Sequence, residues 1–263
     1  MNNKGIEFSI NATPIAAGSF KWASNFNLAH NHNEVVSLSN NIFKLNYIYT
    51  GNAGGTGQSN AVTQIIQAGY PVGQFYTLHY LGKNSNGVST FEDKNGNPTT
   101  TPQSTDQRYL GNAQPEVTFG FGNNFKYKNF ELNVFLRGVT GNKILNATLA
   151  TLNSPGDASN HNIPTLTLTE SYNDYNASLY SDRYLENGSY LRLDHASFAY
   201  NLKFANKPIK SIRVYFTGTN IFTITGYRGI DPEIDIGSIM PGIDNHNYYP
   251  KTRSFITGIS LAL

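Results

Sequence analysis

The chain has no cysteine, little charge and no long apolar run, and each lack removes a class of protein. Without Cys there is no disulfide framework, thiolate zinc site, iron–sulfur cluster or cysteine nucleophile. Charged residues make up 14% of the 263 positions, against roughly 25% in ordinary soluble domains. The net charge is +2. That excludes a polyanion binder built on bulk charge, because such domains carry a clear basic excess. No apolar run approaches the roughly 18 residues of a membrane-spanning helix. Met1 leads directly into Asn2, Asn3 and Lys4, so no secretory signal is expected at this end. What the chain does have is 34 Asn, 24 Gly, 17 Tyr, 16 Phe and one Trp. High aromatic content with low charge opposes disorder. The composition points to an all-β protein with long polar loops, whose apolar faces meet either a core or lipid.

Alternation of apolar and polar residues marks the strands. Ile6, Phe8 and Ile10 alternate with Glu7, Ser9 and Asn11. After a short turn near Pro14 and Gly18, Phe20, Trp22, Phe26 and Leu28 alternate with Lys21, Asn25 and Asn27. A second hairpin runs from Val117–Phe125 through Tyr127-Lys128-Asn129 to Phe130–Leu136. A third joins Phe198–Leu202 to Ile212–Phe216 around Asn206-Lys207-Pro208. Phe255, Thr257, Ile259, Leu261 and Leu263 form the last strand, and Ile42–Tyr49 and Phe75–Leu81 are weaker candidates. Glu131, Asn133, Arg137 and Arg213 also lie opposite the apolar stripes. A soluble sandwich and a membrane barrel both alternate in this way.

Connection lengths separate the two. The turns at 13–18, 128–129 and 204–209 are short, whereas 83–115, 139–188 and 223–251 are long, and 31–73 is mostly loop. Short turns at one end and long loops at the other are the habit of outer-membrane barrels. A short turn follows the first strand and a long loop precedes the last, so both run the same way and the strand count is odd, seven or nine. An antiparallel single-chain barrel normally closes on an even number. The chain therefore reads as one piece of a larger barrel.

Several segments resemble one family. Gly188-Ser189-Tyr190-Leu191-Arg192-Leu193 resembles the GSYLRL strand opening of SusC/RagA-type TonB-dependent outer-membrane transporters. Asn220-Ile221-Phe222-Thr223-Ile224-Thr225-Gly226-Tyr227, Gly229-Ile230-Asp231-Pro232-Glu233 and Tyr249-Pro250-Lys251-Thr252-Arg253 are similar to later motifs of that family. Gly138-Val139-Thr140-Gly141-Asn142 and Asn3-Lys4-Gly5-Ile6-Glu7 resemble earlier ones, and all stand in family order. The resemblance implies an antiparallel transmembrane β-barrel segment of about 7–9 strands from a 22-stranded barrel. Residues 1–263 would be its C-terminal part, with the plug and N-terminal strands outside the chain. The resemblance further implies uptake of an oligosaccharide or peptide at the bacterial outer membrane. A SusD-like lipoprotein, TonB–ExbB–ExbD and outer-membrane lipid would be partners. Neither catalysis, nor a cofactor, nor a nucleic acid is implied. The chain departs from the family at Leu263, where an aromatic is usual, and at Asp93-Lys94-Asn95-Gly96-Asn97-Pro98, where a D-x-NGDG-like segment is common.

Other signals have plainer readings. Asp93 and Asn95 have a calcium-loop flavour, but an EF-type loop needs more carboxylates, so an Asn-Gly turn is expected. His30 and His32 lack a third ligand nearby. Asp194-His195 beside Ser189 or Ser197 suggests a triad, yet neighbours on a regular strand face opposite ways. Asp231, Glu233 and Asp235 could suggest a glycosidase, but they stand in a family loop. The sequons at Asn11, Asn146, Asn176 and Asn187 are expected by chance in so Asn-rich a chain. Tyr47, Tyr49, Tyr76, Tyr80, Tyr190 and Tyr215 suit an interfacial girdle. Tyr172, Tyr175 and Tyr180, in the long 139–188 loop, are the candidates for substrate or partner contact. Alternatives to the transporter reading are a soluble secreted β-sandwich carbohydrate-binding module, an eight-stranded porin and, more remotely, a glycoside hydrolase.

Overall fold

A computed structural model describes residues 1–55, 58–160, 162–205, 208–234, 237–246 and 249–263. Seven long strands form one antiparallel sheet in strict chain order. They are β1 (Asn2–Ala17), β2 (Phe20–Glu34), β3 (Val117–Tyr127), β4 (Phe130–Thr140), β5 (Tyr190–Lys203), β6 (Ser211–Thr225) and β7 (Ser254–Ala262). The register carries each apolar stripe across the sheet. Phe8 pairs with Leu28, and Leu28 with Phe119. Leu132 pairs with Phe198, Phe198 with Phe216, and Val214 with Ile259. The other face carries Glu7, Asn25, Asn124, Asn133, Arg137 and Arg213, with Glu131 held by Lys126 at 2.8 Å and by Arg213 at 3.2 Å.

No second sheet packs on the apolar face among the described residues, so the sandwich alternative lacks its other half. Phe8 is 53% exposed, Phe216 49% and Ile259 67%. Burying each such side chain is worth about 1.5–3 kcal/mol, so this face calls for an apolar medium. Near the short turns the same face carries an aromatic belt. Trp22 stacks on Phe125 at 5.8 Å and donates its indole N–H to Asn123 at 2.9 Å. Phe130 lies against Tyr200 at 4.7 Å. Amphipathic rings favour such an interface.

The turns explain the topology. Gly18-Ser19 and Lys128-Asn129 each reverse the chain in two residues, with φ of +54° at Gly18 and +52° at Lys128. The third short connection includes Asn206-Lys207, which lie outside the described residues. At the opposite end run the long connections 35–116, 141–189 and 226–253. The two weaker strand candidates fall inside the first of these. They yield Tyr47–Thr50 and Gln74–Thr77, which join Gln64–Gln67 and Arg108–Asn112 in a separate small sheet. Four residues are far short of the roughly 9–11 that a tilted spanning strand needs. Of the seven or nine strands expected, seven form the wall. β1 and β7 are its free edges.

The buried core lies in the loops. Phe75, Ala113, Leu145, Ala150, Tyr180, Tyr184 and Leu185 pack together into a dome. Strands Lys143–Asn146, Leu185–Asn187 and Ile243–Asp244 form a small sheet that ties the second loop to the third. Tyr227 from the third loop donates to Asp244 at 2.5 Å.

The absence of Cys allows the two faces to be tested directly. In membranes holding the chain within the larger barrel that its sequence implies, Ser9→Cys and Asn133→Cys are expected to react with a water-soluble maleimide. Phe8→Cys and Phe121→Cys are expected to resist it, and equal labelling of both pairs would refute the assignment of faces.

Candidate functional site

All but the first of the family-like motifs in the chain converge on one point, where the third loop folds back onto the polar face of the wall. Period-2 alternation places Leu191 and Leu193 of β5 opposite Ile224 and Phe222 on the apolar face, and Tyr190 and Arg192 on the polar face. Gly188 precedes them because a Cβ there would collide with Asn142. Ser189 accepts a hydrogen bond from the Thr225 hydroxyl at 2.9 Å through its carbonyl.

Arg192 is 1% exposed. It donates to Asn220 at 2.6 Å and to Asp231 at 2.6 Å, and lies over the Tyr190 ring. Asn220 holds a φ of +53°, a region Asn tolerates better than most residues. Its amide donates to the carbonyls of Lys251 at 3.1 Å and Thr252 at 3.2 Å. Pro232 then fixes the backbone between Asp231 and Glu233. Glu233 accepts two bonds from Arg137, both 2.9 Å, and pairs with Lys251. Arg137 also donates to Asp194 at 2.8 Å and to the Tyr190 hydroxyl at 3.1 Å. Arg137, Arg192 and Lys251 thus balance Asp194, Asp231 and Glu233. Burial pushes the Glu233 carboxyl up, but Arg137 and Lys251 outweigh it and hold the carboxyl below its ordinary value.

Sequence reading missed Lys251, an unspecified position between Pro250 and Arg253, and gave Arg137 no partner. Tyr249, Pro250 and Arg253 lie exposed beside this latch. Asp194 and Ser197, considered for a triad, have other partners. A bulge at Asp194 breaks the alternation, so Asp194 reaches Arg137 while His195 lines the cavity on the same polar face. Regular pleating would have set the two on opposite faces. The Ser197 hydroxyl pairs with Thr217 at 2.8 Å.

The remaining candidates fall into place. Asp93 accepts from the backbone N–H groups of Asn95 and Asn97, both at 2.8 Å, and so caps its own hairpin, with Gly96 at φ +88°. His30 bonds the Glu116 carbonyl at 2.7 Å. Asn146 caps the helix Ala147–Leu152, and Asn176 donates to the Thr100 carbonyl at 2.7 Å. Asp235 lies outside the described residues.

The tyrosines divide into several groups. Tyr172 and Tyr175 are each 70% exposed, whereas Tyr180 is buried with its hydroxyl on the Gly54 carbonyl. Of the three tyrosines expected to meet a substrate or partner, the structure leaves Tyr172 and Tyr175 accessible and withdraws Tyr180. Tyr47, Tyr49 and Tyr76 join Tyr70 and Tyr109 in a run of packed rings, stacked or tilted, at the small loop sheet. Tyr80 stacks under Arg183. Tyr190 and Tyr215 cannot serve an outer girdle, because the register puts them on the polar face with Arg192 and Arg213.

Asp231→Ala removes the nearest counter-charge of the buried Arg192 and leaves it only Glu233 at 3.7 Å, and is expected to cost about 3 kcal/mol in denaturant unfolding. Tyr249→Ala, at a position 81% exposed, is expected to change stability by less than about 0.5 kcal/mol. The pH dependence follows from the lowered Glu233 value. A depressed carboxyl stabilises the fold above its unfolded value, and that contribution fades as pH falls through the folded one. Limited proteolysis of the 226–253 loop is therefore expected to rise only below the ordinary carboxyl range. Cleavage that does not change between neutral and acid pH would refute this.

No family model matches the chain. Curated proteins do. Over an alignment of 292 positions it is 32% identical to TonB-dependent receptor P3 of Formosa agariphila, covering 99% of this chain and 28% of that protein. Over 276 positions it is 31% identical to TonB-dependent receptor SusC of Bacteroides thetaiotaomicron, covering 99% of this chain and 26% of that protein. The chain thus spans under a third of the length of these relatives. Among solved structures, the RagAB peptide transporter superposes with a TM-score of 0.76 at 22% identity, over 98% of this chain and 29% of that one. The RagAB peptide importer in its open-open state gives 0.77 at 22% identity, over 99% of this chain and 28% of that one. From one end to the other the chain is thus similar to a stretch of SusC-type TonB-dependent receptors, and it shares the fold of the RagAB structures.

Proposed function

We propose that residues 1–263 are a C-terminal stretch of wall and extracellular loops from a 22-stranded nutrient importer. Its place would be the bacterial outer membrane. The observation that supports this most is the two-sided wall, apolar on one face and polar on the other, with every long loop at one end. In this reading lipid meets the stripe of Phe8, Phe121, Phe216 and Ile259, and water and a plug meet the face of Asn25, Asn133 and Arg137. An oligosaccharide or peptide binds at the loop end, under a SusD-like lipoprotein. TonB–ExbB–ExbD acts through the N-terminal part of the receptor. The RagAB neighbours are peptide transporters, which supports peptide as one of the two cargo classes. The wall strands, the latch and the dome bind, hold and seal, so no step on the cargo's covalent bonds is assigned to them.

Two measurements test the proposal. Cells given only these 263 residues are expected to show no TonB-dependent uptake, and uptake by them would contradict the assignment of the chain as a part. Purified in buffer without detergent, the chain is expected to leave solution. A stable monomer in plain buffer would instead support a soluble carbohydrate-binding module.

A further inference from the structure

Where the three loops meet, they enclose an open cavity of about 460 Å3. The first loop supplies Tyr80 and Lys83, the second Arg183 and Tyr184, and the third Arg228. Leu149 and Leu166 add an apolar wall. Three cations around one hollow stand out in a chain with 14% charged residues.

Three cations face this hollow against one acid, Glu170, while their counter-charges, Asp174 and Glu186, do not line it. The Asp174 carboxylate is fully buried and accepts from the Ser89 backbone at 2.9 Å and hydroxyl at 2.6 Å. Lys83 and Arg183 reach the same Asp174 oxygen only at 3.6 and 3.7 Å. One carboxylate therefore serves two cations, at distances beyond a good hydrogen bond. Arg183 is fixed by the rings of Tyr80 and Tyr184, at 5.2 and 5.6 Å. Two of its N–H groups bond serine hydroxyls, those of Ser89 and Ser171, at 3.2 Å each. An arginine carries five such donors. Arg228 is half exposed and pairs with Glu186 at 3.1 Å. Glu170 is the one acid among the described residues lining the cavity.

We infer that this cavity takes a carboxylate-bearing ligand, whose acid groups pair with Lys83, Arg183 and Arg228 while its apolar part lies on Leu149 and Leu166. The inference rests on the transport reading and narrows the cargo from any oligomer to an acidic one. A rigid guanidinium and two more mobile cations can follow carboxylates spaced along a chain. Acidic peptides and uronic-acid oligosaccharides share that chemistry.

The test uses the detergent-purified receptor that carries this chain, with fluorescent tetra-glutamate, tetra-glutamine, tri-galacturonate and tri-galactose as probes. Acid probes are expected to bind about tenfold more tightly than their neutral counterparts, with a preference that shrinks at high salt. Lys83→Gln and Arg228→Gln are expected to weaken acid-probe binding about three- to tenfold at an unchanged melting temperature. Glu170→Lys is expected to tighten it by a similar factor, which no folding defect would mimic. The tighter of the two acid probes identifies the source. Equal binding of acid and neutral probes, or no change in any variant, overturns the inference. Failure of cells carrying the intact receptor to import any nutrient would instead overturn the transport reading.

Discussion

A backbone that crosses lipid finds no hydrogen-bond partner there, so each strand must satisfy its neighbour. Much of this molecule follows from that constraint. It forces β1 to β7 into one continuous ladder without a helix or loop intruding. It fixes the register, since a slip of one residue would turn Phe121 inward and Asn133 outward. It also strips the wall of a core of its own. Apolar side chains on one face and amides on the other leave nothing to bury between layers, so the chain's packed interior sits in the dome around Phe75, Leu145 and Tyr184.

The latch solves the problem that the dome creates. A loop that folds back over a polar wall brings charges out of water, and desolvating them is costly unless each is paired. Arg192 meets that condition through Asn220 and Asp231, and Arg137 through Glu233 and Asp194. The strict pairing explains why the residues come as motifs. Arg192 on β5, Asn220 on β6 and Asp231 in the following loop are far apart in sequence, yet each would be a liability without the others.

The seven wall strands were legible because a period of two is a strong local signal, and because turns such as Lys128-Asn129 leave little room for another reading. The small loop sheets were not, since four-residue strands such as Gln64–Gln67 are held by contacts far along the chain. The motif residues at 188–193 and 231–233 could be picked out by resemblance. Their joining depends on a bulge at Asp194 and a left-handed Asn220, neither of which has a signature in the sequence. Tyr190 shows the same limit. Its type suggested a girdle, but its phase relative to Leu191 decided its face. Tyr180 was drawn into the dome by contacts with Gly54 and Gln58 that no local pattern announces.

The two free edges have an orientation as well as a position. β1 and β7 point the same way through the membrane, because seven alternating strands begin and end in one direction. Strands that continue the wall beside β1 or beside β7 must therefore both run the opposite way. An odd-numbered stretch of an even-numbered barrel is completed only by another odd-numbered stretch.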